Sequence, residues 1–296
     1  MNALLFGSTG QLGSALCKHL AGLIEIDAPD STTCDLLKAS ALTAVIDSRQ
    51  PDIIINAAAY THVDRAESEP DAAFAVNAEA PGIMARIAAD HGIPLLHYST
   101  DYVFDGKMDR PYQESEDTRP INVYGKSKLE GERQIRQATS RFIILRTSWL
   151  YSMDRVSFPV RVLAWAQEQP VLRIVTDQVG SPTWADDLAA ASATLIERCL
   201  GDPGGWFDRH GGLYHLAGEG SVSRFDWARA ILSMAPAAWE VGDVQIHPAA
   251  SSAFSSPAVR PSFSALSSTA FFKRFGFSLP HWRESLEKAL STASPG

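Results

Sequence analysis

A tyrosine and a lysine stand four residues apart, at Tyr124 and Lys128, in a segment whose composition predicts a helix. At this spacing both side chains lie on the same helical face. A nearby ammonium group lowers the pKa of a phenol, and a phenol tuned in this way can donate or accept a proton near neutral pH. Most such pairs form only a solvated helix face, so the preceding chain must indicate whether this one does chemistry.

A glycine-rich turn near the start of the chain gives that indication. An apolar run over 1–6 predicts a strand, the turn over 7–13 has the spacing G-x-x-G-x-x-G, and a helix is predicted over 14–21. In this context the first glycine permits a tight turn, the second lets the backbone approach a pyrophosphate, and the third lets helix and strand pack closely. The phosphates then face the helix N-terminus. A plain turn between strand and helix is the alternative. The predicted dinucleotide contacts here are Gly7, Gly10, Gln11, Leu12 and Gly13.

Two acidic residues follow at positions suited to the adenosine half of a dinucleotide. Asp27 ends a predicted strand over 23–27, where a carboxylate can accept hydrogen bonds from ribose hydroxyls. Asp35, followed by Leu36, is a second candidate, on the adenine side. The alternative role for Asp35 is the N-cap of the helix predicted over 36–48.

Strands and helices alternate through the first half of the chain. Strands over 51–56, 93–99 and 141–146 are separated by helices over 70–91 and 122–137. This alternation predicts an α/β fold of the Rossmann type, a doubly wound parallel sheet that binds ligands at the carboxyl ends of its strands. Small residues after the first of these strands let a flat cofactor lie close, and the contacts predicted there are Ala59, Tyr60 and Thr61.

The second half differs in its predicted elements, which include short strands and loops rich in Gly, Pro and Ser. Its predicted elements are strands over 171–175 and 212–216 and helices over 185–200, 267–275 and 281–290. We predict two domains. The dinucleotide-binding domain spans 1–150 and is rejoined by about 171–200, and a smaller α/β substrate-binding domain spans 201–296 together with about 151–170.

Composition excludes several classes of protein. The 296 residues include 26 basic and 34 acidic side chains, for a net charge of −8, without a Lys/Arg cluster. Nucleic acid and anionic membranes are therefore not expected as main partners. Cys17, Cys34 and Cys199 show no C-x-x-C pattern, which favours a reduced, cytoplasmic location. The eight histidines lack metal-ligand spacing, so we expect no bound metal, and no apolar run reaches membrane-spanning length.

Several motifs are distributed over nearly the whole chain. They are the glycine turn over 7–13, Asn-Ala-Ala-Ala over 56–59, and the runs over 97–106, 120–128, 146–151, 177–183 and 260–261. In combination these motifs resemble the extended short-chain dehydrogenase/reductases, and within them the dTDP-4-dehydrorhamnose reductase family.

The resemblance implies a catalytic group of Thr100, Tyr124 and Lys128. It implies reduction of the C4 ketone of dTDP-4-dehydro-6-deoxy-L-mannose to dTDP-L-rhamnose by NADH or NADPH. Such a reduction needs a proton for the developing alkoxide, which Tyr124 would supply while Thr100 hydrogen-bonds the same oxygen. Lys128 would hold the nicotinamide ribose and lower the pKa of Tyr124. Tyr124 and Lys128 therefore count among the cofactor contacts as well.

The substrate contacts implied by the resemblance are Thr100, Asp101, Trp149 and Arg260. Trp149 would lie against the sugar and Arg260 near the diphosphate, whose oxygens suit a guanidinium. A core Trp, a surface Arg and, for Asp101, a structural cap are the alternatives. The related 4,6-dehydratases carry an Asp-Glu pair after the threonine. Tyr102 stands at the second position here and cannot act as a carboxylate, which disfavours dehydration.

NADH is predicted to serve at least as well as NADPH, because Asp27 would repel a 2′-phosphate and no cation stands beside it in the glycine turn. Two alternative functions stay open: another nucleotide-sugar reductase or an epimerase of the same superfamily, and a non-catalytic NAD(P)-binding regulatory subunit. The resemblance also allows a homodimer. The metal that some relatives hold at a dimer contact is not carried over to Asp186 and Asp187, because the match is loose.

Overall fold

A computed structural model of the chain describes residues 1–30 and 32–293. Its strands are β1 (Asn2–Phe6), β2 (Glu25–Asp27), β3 (Ile53–Asn56), β4 (Leu95–Thr100), β5 (Phe142–Thr147), β6 (Leu150–Tyr151), β7 (Val171–Val175), β8 (Val179–Gly180), β9 (Thr183–Trp184), β10 (Gly212–His215), β11 (Val222–Ser223) and β12 (Gln245–Ala249). Six of them form one parallel sheet in the order β10-β5-β4-β3-β1-β2. The predicted α/β fold with a doubly wound parallel sheet is confirmed.

The helices cover both faces of that sheet and build the smaller C-terminal part. They are α1 (Gln11–Leu20), α2 (Ala39–Arg49), α3 (Val63–Ala66), α4 (Pro70–Phe74), α5 (Ala80–His91), α6 (Val123–Ala138), α7 (Phe158–Glu168), α8 (Ala185–Cys199), α9 (Pro203–His210), α10 (Arg224–Ser233), α11 (Thr269–Phe275) and α12 (Trp282–Ser291). Among the described residues, none of these helices is long and apolar enough to cross a bilayer.

Alternating residues of β1 supply the two cores of the sheet. Ala3 and Leu5 pack with α1, α8, α9 and α11 on one face, whereas Leu4 and Phe6 pack with α2, α5 and α6 on the other. All four are buried. Because a strand inside such a sheet is covered on both sides, it has no polar face, and this explains the continuous apolar run that predicted β1.

Two elements of the second half pair differently from the expectation. Strand β7, predicted with the dinucleotide-binding part, pairs with β12 in a separate two-stranded sheet and packs in a second core with α7, α10 and α12. Strand β10, predicted with the substrate-binding part, extends the central sheet beside β5. Its Tyr214 packs on the apolar residues of α11. The positions of the two strands were predictable, but the strand with which a short strand pairs depends on residues far away in the sequence.

Helix α2 begins later than predicted. Its N-cap position is Lys38, so Asp35 does not cap this helix. Instead, the Asp35 carboxylate accepts the backbone N–H of Leu37 at 3.0 Å, in a turn ahead of the helix. An Asp side chain readily makes this short-range bond to a backbone N–H two residues on, which holds the chain out of the helical conformation.

The predicted helix over 70–91 contains a π-helical segment, Ala75–Glu79, between α4 and α5. Its Asn77 is buried, accepts the backbone N–H of Tyr60 at 2.8 Å and donates to the Ser127 hydroxyl at 3.0 Å. A Cβ on Gly131 of α6 would come within 2.1 Å of the Asn77 carbonyl oxygen. The wider turn thus joins the loop after β3 to the helix that carries Tyr124 and Lys128.

Candidate functional site

The cavity that most of the predicted site residues line, called the principal cavity, lies where the chain leaves β1 and β3, the adjacent strands at which the strand order of the sheet reverses. This is the position at which doubly wound sheets bind ligands. The cavity has a volume of about 460 Å³. The predicted residues in its wall are Gly7, Gly10, Gln11, Leu12, Ala59, Thr61, Thr100, Asp101, Tyr124, Lys128 and Trp149.

The glycine turn has the close approaches that a dinucleotide site needs. Gly7 has a φ of +83°, and a Cβ there would lie 2.5 Å from the Ala58 backbone nitrogen. A Cβ on Gly13 would lie 2.0 Å from the Gly7 carbonyl oxygen, so Gly13 serves helix-to-strand packing. The Gln11 side-chain oxygen in this turn is buried and has no hydrogen-bond partner among the described residues. These residues fit a dinucleotide with its phosphates at the start of α1.

Tyr60 bonds to Asn77 through its backbone and to Glu69 through its side chain. The phenol donates to Glu69 at 2.7 Å, and the residue is absent from the described cavity wall. Its neighbours Ala59 and Thr61 do line the cavity. The predicted contact of Tyr60 with the cofactor stays a prediction.

Three residues predicted at the adenosine end lie outside the cavity wall. Asp27 pairs with Arg49, with 3.1 Å between the carboxylate and the guanidinium. Asp35 is 3.5 Å from the Lys38 ammonium, and Leu36 packs against the core under α2 and α5. Their contacts with adenosine stay predictions. Arg49, a cation beside Asp27, escaped the sequence analysis because it lies on a different element.

Thr100 and Tyr124 meet at the carboxyl end of β4. The Thr100 hydroxyl accepts the backbone N–H of Tyr102 at 3.1 Å and donates to Asp101 at 3.1 Å. Tyr124 occupies the first turn of α6, which Asn122 caps by accepting the Gly125 N–H at 2.8 Å. A Cβ on Gly125 would lie 2.1 Å from the Tyr102 carbonyl oxygen, so glycine lets the helix approach the strand end. The Tyr124 ring stands edge-on to Tyr102, with centroids 5.7 Å apart.

Lys128 is buried and reaches the same cavity, but its ammonium turns toward the sheet. Its Nζ donates to the Tyr98 carbonyl oxygen at 2.6 Å and lies 3.2 Å from His97 Nε2. Burial lowers the pKa of Lys128 to about 8. Burial likewise raises the pKa of Tyr124, with the Thr100 hydroxyl partly opposing the rise. The prediction that Lys128 lowers the Tyr124 pKa is wrong for this structure, because the lysine is directed to a carbonyl of β4.

Asp101 is a buried carboxyl group at the junction of three segments. It accepts hydroxyl hydrogen bonds from Thr100, from Ser148 after β5 at 3.0 Å, and from Ser264 in the C-terminal part. Burial raises the pKa of Asp101 to about 6, although these hydroxyls favour the carboxylate. Asp101 thus lines the cavity and also ties Thr100 to the second half of the chain, whereas its contact with a substrate stays a prediction.

Trp149 lies in the wall of the principal cavity and is held in an unusual backbone conformation. Its φ is +45°, a region that non-glycine residues seldom adopt. The ring stacks on Trp227 with 5.6 Å between centroids, and a Cβ on Gly180 would come within 2.4 Å of it. The Arg224 guanidinium lies 3.6 Å from the Trp149 ring centroid. Such over-determined positions concentrate at ligand-binding sites.

A second cavity, of about 680 Å³, is rich in arginine. Arg161, Arg173, Arg224 and Arg260 line it, and Arg224 also lines the principal cavity. Arg260 forms a two-pronged pair with Asp64, with a shortest distance of 2.7 Å. The other three form no ion pair within the described residues. Burial lowers the pKa of Arg224 to about 10, so it remains a cation at neutral pH.

Sequence analysis placed Arg260 near a diphosphate and missed the other three arginines. They stand far apart along the chain, on or beside α7, β7 and α10, and only folding brings them together. One local signal was available. Arg224 is the first residue of α10, where the helix dipole disfavours a cation, so a positive charge there needs another explanation.

Comparison with known proteins agrees with this geometry. The family model described as the RmlD substrate binding domain matches residues 1–294. The chain belongs to this family. The dTDP-4-dehydrorhamnose reductase of Salmonella typhimurium strain LT2 is 37% identical over 296 residues, covering 98% of the chain and 97% of that protein. The reductase of the same name from Escherichia coli strain K12 is also 37% identical, with the same coverage.

Solved structures show the same relationship to the RmlD family. The crystal structure of a dTDP-4-dehydrorhamnose reductase from Clostridium acetobutylicum matches with a TM-score of 0.89 at 31% identity, covering 98% of this chain and 99% of that one. The Bacillus anthracis reductase in complex with NADP matches with a TM-score of 0.89 at 32% identity, covering 98% of each chain. A Thermus thermophilus UDP-glucose 4-epimerase at 16% identity, with a TM-score of 0.78, shares the fold alone.

Proposed function

We propose that this chain reduces the C4 ketone of dTDP-4-dehydro-6-deoxy-L-mannose to dTDP-L-rhamnose with NADH or NADPH. The observation that carries the proposal is the convergence of two cavities. Thr100 and Tyr124 lie in the cavity beside the glycine turn, and Arg224 lines both that cavity and the arginine-rich one. A ketone can thus lie at the hydroxyl pair while the diphosphate of the same molecule meets guanidinium groups. The names of the RmlD-family relatives support this substrate.

Each residue has a defined task in this proposal. Tyr124 donates its phenolic proton to the oxygen that becomes the alcohol, and Thr100 hydrogen-bonds the same oxygen. Because burial raises the pKa of Tyr124, the phenol is protonated at neutral pH and ready to donate. Lys128 and the glycine turn hold the dinucleotide, which supplies the hydride when bound. Trp149 provides an apolar face for the sugar ring.

The cavity lining disfavours dehydration. Among the described residues that line the principal cavity, Asp101 is the one carboxyl group. A dehydratase needs a separate acid and base to remove water, and the adjacent position holds Tyr102, whose pKa burial raises further. A lone carboxyl group beside a Thr and Tyr pair is sufficient for carbonyl reduction.

The deciding assay is oxidation of NADH or NADPH on addition of dTDP-4-dehydro-6-deoxy-L-mannose, with product analysis. Stoichiometric cofactor oxidation and dTDP-L-rhamnose support the proposal. An isomerised sugar with no net cofactor change would support an epimerase instead. Tight cofactor binding without turnover would support a regulatory subunit.

Cofactor choice gives a prediction about Asp27. We expect kcat/KM with NADH to equal or exceed that with NADPH, because the carboxylate repels a 2′-phosphate. Arg49 offsets part of this charge, so Asp27→Asn should raise the NADPH/NADH ratio only about tenfold or less. Steady-state kinetics with both cofactors measures the ratio, and Asp47→Asn at the exposed end of α2 is a control. A strong NADPH preference in the unmodified protein would contradict the prediction.

Arg224 gives a prediction about the nucleotide sugar. Arg224→Gln is expected to raise the KM for the sugar nucleotide about tenfold or more, because a charge-assisted hydrogen bond to phosphate is lost. The KM for the dinucleotide should change little. Arg229→Gln on the exposed face of the same helix is the matched control. Equal increases in both KM values would indicate general disruption of the site and would count against a phosphate contact.

We further propose that the substrate binds in a cleft between two domains, one built on the central sheet and one on the core of α7, α10 and α12.

A homodimer is also proposed, on the resemblance alone, and sedimentation velocity tests it. A monomer at micromolar concentration would refute the dimer without affecting the proposed reaction.

A further inference from the structure

His97 is a fully buried histidine behind the principal cavity, and the proposed reaction assigns it no task. It lies on β4 between Asn56 of β3 and Lys128 of α6. Its Nδ1 is 3.1 Å from Asn56 Nδ2, and its Nε2 is 3.2 Å from Lys128 Nζ. Within 1–30 and 32–293, each ring nitrogen therefore has one partner, and the imidazole ring links Asn56 to Lys128.

The directions of these hydrogen bonds follow from the backbone. The Ala58 N–H can only donate, and it does so to Asn56 Oδ1 at 3.1 Å. The Asn56 amide therefore presents its NH2 group, which has no acceptor, to His97 Nδ1. His97 Nδ1 must then be the accepting nitrogen. A neutral imidazole that accepts at Nδ1 carries its proton on Nε2, facing Lys128.

On its other side Lys128 has a definite acceptor, the Tyr98 carbonyl oxygen at 2.6 Å. An ammonium group has three donors and no acceptor, whereas a neutral amine keeps a lone pair. An ammonium opposite the His97 Nε2–H would place two donors face to face in a buried site, and a neutral amine would instead accept that bond. We propose that His97 is a positioning residue that, in the tautomer fixed by Asn56, favours the neutral amine of Lys128 over its ammonium.

The other groups around Lys128 bring the equilibrium between its ammonium and its neutral amine into the range near neutral pH. Glu132, one turn along α6, favours the ammonium, but it is itself paired with Arg146. Burial lowers the pKa of Lys128 to about 8 and holds that of His97 well below its usual value. The histidine is thus neutral, and its tautomer can shift the lysine. On α6, Tyr124 and Glu132 are the ionisable neighbours of Lys128, while β4 and the turn after it carry His97, Tyr98 and Asp101, and β5 carries Arg146. The other ionisable side chains of α6 are the exposed Lys126, Arg133 and Arg136 and the half-buried Glu130.

The tautomer can be measured directly and without a ligand. In a long-range proton–nitrogen NMR spectrum of the 15N-labelled protein at pH 7, we expect His97 to show a protonated Nε2 and an unprotonated Nδ1. The chain has eight histidines, and the signals that His97→Gln removes identify this one. A proton on Nδ1, or on both nitrogens, would overturn the proposal whatever reaction the chain catalyses.

The catalytic consequence rests on the proposed function. The ammonium is the form with most donors for a bound ribose, so activity should fall as pH rises through the pKa of Lys128. In His97→Gln the carboxamide can turn its oxygen to the lysine, which favours the ammonium and raises that pKa. In a plot of kcat/KM against pH, the fall on the alkaline side, or alkaline limb, should therefore shift to higher pH by about one unit. An unmoved limb would overturn this consequence.

Two further variants complete the test. His215→Gln alters another buried histidine, which contacts Arg146 and a backbone carbonyl rather than Lys128, and should leave the limb in place. If His97→Gln does not fold, Asn56→Asp replaces the NH2 group by an acceptor, and NMR should then find the His97 proton on Nδ1. If NMR finds the His97 proton on Nε2 but the chain does not turn over the sugar, the proposed function is refuted and this inference is left intact.

Discussion

Tyr124→Phe is expected to lower kcat by about 100-fold or more, because the alkoxide formed from the ketone loses its proton donor. The phenylalanine ring keeps the edge-on contact with Tyr102, so the site should hold its shape. Dinucleotide affinity should change little, since Gly7, Gly10 and Lys128 are untouched. Loss of kcat without loss of binding is the mark of a group that acts in the transition state.

Stopped-flow turnover and a fluorescence titration with NADH measure these two quantities separately. Tyr214→Phe is the matched control, because the Tyr214 hydroxyl donates to the His210 carbonyl at 2.9 Å, away from the cavity. Near-full activity of Tyr124→Phe would remove Tyr124 from the proposed mechanism. A parallel loss in Tyr214→Phe would trace the defect to folding.

Glu132→Gln is expected to destabilise the fold by about 3–5 kcal/mol, because it leaves the buried Arg146 cation without its countercharge. The guanidinium donates to the carboxylate through Nε at 2.8 Å and through Nη2 at 2.6 Å. Both side chains are almost completely buried, at 1% and 4% exposure, so water cannot replace the lost partner. Ser99 also donates to Glu132, which ties the pair to the strand that ends in Thr100.

Urea unfolding of the purified protein measures this effect. Glu130→Gln on the same helix is the matched control, since its 3.6 Å contact with Arg133 is exposed and should contribute less than about 1 kcal/mol. Replacing Glu132 and Arg146 together by leucine and methionine should restore much of the stability, because no uncompensated charge remains. Equal stability of Glu130→Gln and Glu132→Gln would contradict the argument.

The fold and the reacting side chains were predictable because their signals are local. The backbone conformation of the turn over 7–13 requires glycine, and Tyr124 and Lys128 share a helical face whatever surrounds them. The alternation of strand and helix is equally local. These features led to the cavity beside β1 and β3. The roles of Thr100 and Trp149 came instead from a resemblance spread over most of the chain.

What escaped prediction depends on contacts between distant segments. The direction of the Lys128 ammonium is determined by a carbonyl of β4, thirty positions away in the chain, which no spacing rule contains. The arginine-lined cavity gathers Arg161, Arg173 and Arg224 from three elements. The pairing of β7 with β12 likewise depends on a partner in the last third of the chain. Each is a tertiary effect that overrides or is invisible to local preference.

The π-helical segment Ala75–Glu79 has a consequence for how relatives should be aligned. Such a turn accommodates one residue more than an α-helical turn, and each residue of an α-helix advances it by about 100°. A relative with one residue fewer here would present a different side chain to Tyr60 and Ser127, even with Asn77 retained in its sequence. A single-residue gap within 75–79 therefore marks an altered support for the lysine-bearing helix, whereas gaps in surface loops carry no such meaning.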